Sequence, residues 1–172
     1  MGHATGSGRS ASSVLGQNNR VPSREEISSG SATYGGLPVR LNVDMSADAH
    51  NLTSLIEVSN KFFDHDPETQ RHILNHEVAH NWADELMAQN SGRWQKFTSA
   101  FIQQKQVPKG SLAWERGQRT YWEGLYGDIG AIAASETVTR AMTEYLDNPR
   151  RLRSRSRKAY NEIHRFVKSK IG

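Results

Sequence analysis

The residues with the clearest chemical potential are His76, Glu77 and His80, which stand in the order H-E-x-x-H. On a helix, side chains four residues apart project from the same face, so both imidazoles can reach one ion. Neutral histidines hold Zn²⁺ at about 2.0–2.1 Å, and an adjacent glutamate can take a proton from the attacking water. The spacing predicts a hydrolytic zinc site with His76 and His80 as metal ligands and Glu77 as general base.

The residues around this motif predict a helix from Pro67 to about Gln89. Asp66 is a favourable N-cap, and proline suits the first helical position because its missing N–H has no partner there. Apolar side chains cover a broad arc of this helix: Leu74, Val78, Ala79, Trp82, Ala83, Leu86 and Met87. The three motif residues and Asp84 share the narrow remaining sector, which indicates a buried helix facing a polar site.

A catalytic zinc ion needs a third protein ligand and a position for water. Asp84 lies four residues beyond His80, displaced by about 6 Å along the axis, which is too far for the same ion. We expect Asp84 to be either a hydrogen-bond partner of a ligand imidazole or a solvated residue.

The chain lacks the glycine and third histidine of the metzincin pattern H-E-x-x-H-x-x-G-x-x-H. A glutamate from a second helix is the remaining solution. Glu136 is the first candidate because it lies away from its helix's apolar side, and Glu144 is the second.

The hydropathy pattern predicts a mostly α-helical α+β fold with a small sheet. Alternating apolar and polar residues at 37–43 indicate a strand, 44–51 is expected to be a loop, and 53–59 is a second strand or a short helix. Residues 109–127 are expected to be loop with some helix. Besides the motif helix, the predicted helices are 92–106, 128–147 and 149–171.

The composition limits domain organisation and covalent chemistry. The chain has 172 residues, enough for one domain, and its first 30 residues are rich in Ser and Gly. We predict a flexible leader or linker at 1–30 and a single catalytic domain at 31–172. The absence of cysteine excludes disulfides and thiolate ligands. No apolar run is long enough for a transmembrane segment, and no signal peptide is visible.

The formal net charge is +4, and much of the excess lies in the segment 150–158. The arrangement is typical of a solvated helix face. The alternative interpretation is a surface for an acidic partner or a nucleic acid.

The downstream sequence resembles a known family. Tyr126-Gly127, followed by the run 135–146 (SETVTRAMTEYL), is similar to the active-site region of anthrax lethal factor-like proteases, which are zinc metalloproteases of the glutamate-zincin (gluzincin) group. The resemblance covers roughly residues 50–172. Two departures are the long gap between Tyr126 and Glu136 and the pair Val78-Ala79, where the family often has small residues.

The resemblance implies a zincin-like fold and a complete site. Carried over by position, His76, His80 and Glu136 would bind Zn²⁺, Glu77 would be the general base, and Tyr126 would stabilise the tetrahedral intermediate. The strand at 53–59 would be the edge strand that aligns the substrate. The implied activity is that of a zinc endopeptidase acting on a protein, as a toxin or effector that is secreted or delivered into a target cell.

Two alternatives remain at the sequence level. One is a housekeeping or DNA-associated metalloprotease that uses the basic segment 150–158, and the other is a metalloprotease-like binding domain with an idle site. Among the remaining histidines we expect surface positions or, for His72, contact with a ligand histidine. The four tryptophans are expected to be mainly core residues.

Overall fold

The computed structural model describes residues 20–52, 54–89, 112–127 and 134–171. In these ranges the chain is mostly helical with one four-stranded sheet, which confirms the predicted α+β class. The strands are β1 (Thr33–Tyr34), β2 (Leu37–Leu41), β3 (Ala49–Leu52) and β4 (Leu55–Val58). The helices are α1 (Arg24–Ser29), a 3-10 helix (Asn60–Asp64), α2 (Pro67–Gln89), α3 (Leu112–Tyr126), α4 (Ala134–Asp147), α5 (Pro149–Arg155) and α6 (Arg157–Ile171).

The sheet has the strand order β1-β2-β4-β3, so β1 and β3 form its edges. The central pair, β2 and β4, is parallel, with Val39 opposite Ile56, and the outer pairs are antiparallel. Val39, Ile56 and Val58 are fully buried and give the sheet its core face. This face packs near α2, which contacts both β3 and β4.

Two expectations about the sheet are wrong. The stretch 44–51, expected to be a loop, contains most of the edge strand β3, and the strand found within 53–59 is the interior strand β4. The strand that could align a ligand at the sheet edge is therefore β3. Its sequence, AHNL, lacks a strong apolar alternation, which hid it at the sequence level. Val43, expected on the apolar face of the first strand, lies beyond β2 and is 63% exposed.

The motif helix α2 has the predicted bounds. The Asp66 carboxylate accepts a hydrogen bond from the backbone N–H of Thr69 at 2.7 Å, as an N-cap does. Every member of the predicted apolar arc is buried, and α2 packs most extensively against α4. The helix is therefore enclosed between the sheet and α4, which places the narrow polar sector next to α4.

The C-terminal half is more helical and more divided than expected. The stretch 109–127 contains the fifteen-residue helix α3, and the single helix expected at 149–171 is two helices, α5 and α6. They separate at Ser156, whose hydroxyl donates to the carbonyl of Leu125 and accepts from the Ala159 N–H. These side-chain contacts favour a cap over a continued helix. The helix expected at 92–106 and residues 128–133 lie outside the described residues.

The segment predicted as a leader is partly packed. Residues 20–30 include α1, which begins with a capping box between Ser23 and Glu26, and Ile27 belongs to the core. The packed part of the chain therefore begins before residue 31, while residues 1–19 lie outside the described ranges. Within those ranges, none of the helices is long and apolar enough to cross a membrane.

Candidate metal centre

The three motif residues form one compact group in the middle of α2. His76, Glu77 and His80 each offer a ligand atom, and these atoms lie within 4.8 Å of one another. The two imidazole rings meet edge to face, with centroids 4.7 Å apart. Two nitrogen donors and a carboxylate this close can hold a metal ion. The motif spacing thus becomes one spatial site because a single helical turn separates its members.

The electrostatics of the group suit ligand binding and proton transfer. Glu77 is only 6% exposed, and burial, followed by the negative charge of Glu136, raises its pKa to about 7. Burial and the neighbouring His80 lower the pKa of His76, against the opposing influence of Glu136. His76 therefore favours the neutral form that ligates metals, and Glu77 can hold or release a proton near neutral pH.

Glu136 approaches this group from the first turn of α4. Its side chain is 41% exposed, and its Oε1 atom lies 3.8 Å from the Nε2 atom of His80. The compact group does not include Glu136, which lies beside His80 at the group's rim. α4 packs along α2, so this carboxylate is held next to the histidines by the helix pair with the most extensive contact.

Two buried threonines of α4 contact the two histidines, and sequence reasoning missed both. The Thr143 hydroxyl lies 3.3 Å from Nδ1 of His76, and the Thr139 hydroxyl lies 3.5 Å from Nδ1 of His80. Their spacing of four residues on α4 matches the spacing of the histidines on α2. A threonine in a helix carries no local signal of such a contact, because the partner lies on another helix.

Tyr126 and Glu144 lie together at a cavity that His76 also lines. The Tyr126 hydroxyl donates to Oε1 of Glu144 at 2.9 Å, and the Arg155 guanidinium lies 4.1 Å from the tyrosine ring centroid. Glu144 is 11% exposed and also pairs with Arg151 and Arg155. Burial, followed by the bond to Glu144, raises the pKa of Tyr126. Tyr126 and His76 line one cavity of about 480 Å³, and Glu144 is engaged within it by other side chains.

A chain of polar contacts fixes α2 immediately before His76. The Tyr34 hydroxyl donates to Oδ1 of Asn75 at 2.6 Å, and Nδ2 of Asn75 donates to Asp147 at 2.9 Å. Nδ1 of His72 contacts the second carboxylate oxygen of Asp147, so His72 is tied to the end of α4. These bonds connect the sheet, α2 and α4, and they hold the residue that immediately precedes His76.

A cleft runs between the sheet edge and the metal group. Its lining, which encloses about 410 Å³, combines residues of β3 with Glu77, His80 and Asp84 of α2. A larger space of about 790 Å³ also touches Asn51 and Asp84. Within the described part of the chain, Nδ2 of Asn51 is one of three buried side-chain polar atoms without a hydrogen-bond partner.

The remaining predicted residues lie outside this group. His50 pairs with Glu57, His65 with Asp48, and His164 with the Tyr145 hydroxyl. Trp82 and Trp122 are core residues, while the side chains of the other two tryptophans fall outside the described residues. Within the basic segment 150–158, Glu144 partly neutralises the charge through the two arginines that it binds.

Comparison of the chain with protein-family models, with curated proteins and with solved structures finds no match.

Proposed function

We propose that this protein is a zinc-dependent endopeptidase with a zincin-like active site. The observation that carries the proposal is the compact group of His76, Glu77 and His80, of which Glu77 and His80 line a cleft beside the edge strand β3. Two metal ligands and a buried proton acceptor within one helical turn are the parts that hydrolysis of an amide bond needs. Among the described residues, the outer edge of β3 has no strand partner, so an extended peptide can add there as a further strand.

Zinc is the metal that best fits the donor set. Two imidazoles and the carboxylate of Glu136 would leave a fourth tetrahedral position open, as in catalytic zinc sites. Ligands at about 2.0–2.1 Å in a tetrahedron lie about 3.3 Å apart. The 3.8 Å between Nε2 of His80 and Oε1 of Glu136 is close to that spacing, which supports Glu136 as third ligand. When bound, zinc would supply a Lewis acid that brings the pKa of a coordinated water toward about 7.

The side chains of this protein then have distinct roles in the proposed reaction. Glu77 takes the proton of the attacking water and delivers it to the leaving amine, and its pKa of about 7 suits both transfers. The edge strand β3 orients the scissile bond over the cleft. Tyr126 is proposed as a donor to the developing oxyanion, and for this role its hydroxyl must first leave Glu144.

The first test replaces the proton acceptor. Glu77→Gln keeps the shape of the side chain but removes its basicity, so we expect a loss of activity of at least about 100-fold with zinc still bound. The measurement is cleavage of a denatured-protein or peptide-library substrate by mass spectrometry, together with metal analysis of wild type and variant. Cleavage by Glu77→Gln at the wild-type rate would contradict the proposed base, and cleavage by neither protein would contradict the endopeptidase proposal.

The second test addresses the third ligand. Glu136→Ala should weaken zinc binding by about 10-fold or more, because a carboxylate that would bind the ion directly is lost. Glu144→Gln is the matched control on the same helix, since Glu144 is engaged by Tyr126, Arg151 and Arg155. Calorimetric titration with Zn²⁺ measures both. Unchanged affinity in Glu136→Ala, or an equal loss in both variants, would reject Glu136.

The biological setting that we propose is that of a toxin or effector acting on a target cell's protein. The support is the resemblance of residues 50–172 to anthrax lethal factor-like proteases, as carried by the motif and the run 135–146. Secretion or delivery into a target cell would follow from that setting. The setting is separable from the chemistry, because the two tests above require neither a natural substrate nor a host cell.

A further inference from the structure

We propose that Thr139 and Thr143 are positioning residues that fix the tautomer and orientation of both metal-binding histidines. The inference rests on the proposed function only for the role of the histidines as ligands. It extends that function by giving a role to two buried side chains of α4 that take no part in the hydrolytic steps.

Each of the two threonine hydroxyls uses its single proton in a hydrogen bond within α4. The Thr139 hydroxyl donates to the carbonyl of Ser135 at 2.7 Å, and the Thr143 hydroxyl donates to the carbonyl of Thr139 at 2.7 Å. These bonds run back along α4 to the residue four positions earlier, a common use of threonine in helices. Because a hydroxyl has one hydrogen, both threonines have only lone pairs left to offer.

The direction of these bonds determines which nitrogen of each imidazole carries the hydrogen. An oxygen that can only accept must receive a proton from the atom it contacts, so Nδ1 of His76 and Nδ1 of His80 carry the hydrogens. In the opposite tautomer, lone pairs would face each other across 3.3 and 3.5 Å, which is unfavourable. Each neutral histidine therefore keeps its free lone pair on Nε2, the atom that His80 presents to Glu136.

The hydrogen bond at the second nitrogen of each histidine strengthens metal binding. A histidine ligand is commonly held by a hydrogen bond from its second ring nitrogen, and loss of that partner typically costs 10- to 100-fold in metal affinity. Here the two contacts repeat at the same four-residue spacing on both helices, so α4 orients both imidazoles as one rigid unit. The unliganded protein then needs neither a tautomer change nor a ring rotation before it takes up an ion.

The direct test is the tautomer of the two histidines in the metal-free wild-type protein. Long-range ¹⁵N–¹H spectra at about pH 8, well above the usual histidine pKa of about 6.5, distinguish Nδ1–H from Nε2–H. Signals are assigned with His76→Gln and His80→Gln. We expect Nδ1–H at both residues. Predominant Nε2–H at both would overturn the proposal, whatever the protein does or does not cleave.

The second test separates the hydroxyl from the methyl group. The double variant Thr139→Val/Thr143→Val keeps the side-chain shape without the acceptor, and Thr139→Ser/Thr143→Ser keeps the acceptor. Titration with Zn²⁺ should show about 10- to 100-fold weaker binding for the valine pair and near wild-type binding for the serine pair. Equal affinity for the valine pair and wild type, or an equal loss in both pairs, would overturn the proposal. The wild-type spectrum decides the matter if the valine pair does not fold.

Discussion

One of the two variable positions of the motif is constrained by packing. Val78, between the general base and the second histidine, is fully buried, and its methyl groups pack against Gly35 in the turn between β1 and β2. A Cβ at Gly35 would lie 2.7 Å from Cγ2 of Val78, and Gly35 has a φ of +57°. The close approach of turn and motif helix therefore requires glycine at this position.

Gly35→Ala should destabilise the protein by about 2 kcal/mol, because it adds a left-handed backbone cost to overpacking against Val78. Gly36→Ala is the matched control: its φ of +82° carries the same kind of backbone cost, but nothing lies within 4 Å of its Cβ. We expect a loss near 1 kcal/mol there. Urea unfolding gives both free energies of unfolding. Equal losses in the two variants would show that contact with Val78 contributes nothing.

At the residue scale, the sequence predicted what a single helical turn contains. His76, Glu77 and His80 come together because their spacing alone places them on one face. Elimination and resemblance both point to Glu136, which lies near His80, and its role as ligand stays a prediction. Thr139 and Thr143 could not be predicted, because their partners depend on how α4 packs on α2.

At the element scale, helix α2 was predictable in full because its start signal and its apolar arc are both local. The short edge strand β3 was not, since its pairing with β4 compensates for a sequence without strong strand character. The break between α5 and α6 also depends on a distant group, the Leu125 carbonyl that receives the Ser156 hydroxyl. Elements were misjudged where a tertiary contact, rather than the local pattern, decides their limits.

The position of β3 at the edge of the sheet bears on the proposed site. With β3 rather than β4 at the edge of the described sheet, residues of the edge strand line the cleft together with Glu77 and His80. An extended peptide that added to β4 would have to displace β3 first. The corrected topology is therefore more favourable for the proposed peptide alignment than the arrangement expected from sequence.

At the scale of the whole molecule, the fold class followed from composition and periodicity, whereas the packing of the last helix against its neighbours did not. Helix α6 packs against α3 and α4, and one polar contact between α4 and α6 joins Tyr145 to His164. The Tyr145 hydroxyl lies 2.9 Å from Nδ1 of His164, whose ring stacks on Tyr160 at 5.1 Å. A neutral His164 accepts this hydrogen bond, and a protonated one cannot.

This contact predicts how global stability depends on pH. Burial, followed by the positive charges of Lys168 and Arg153, lowers the pKa of His164 below its usual value. The unfolded chain then binds the proton more readily than the folded chain, so the contribution of His164 is complete above about pH 6.5 and is lost as the pH falls below it. Because His164 is only half-buried, solvent screening keeps the effect below about 1 kcal/mol.

Urea unfolding at about pH 7.5 and about pH 5.5 should show a larger loss in the free energy of unfolding for wild type than for His164→Gln. His76, whose pKa is also lowered, is present in both proteins and cancels in the comparison. An identical loss in the two proteins would mean that protonation of His164 does not loosen α6 from α4.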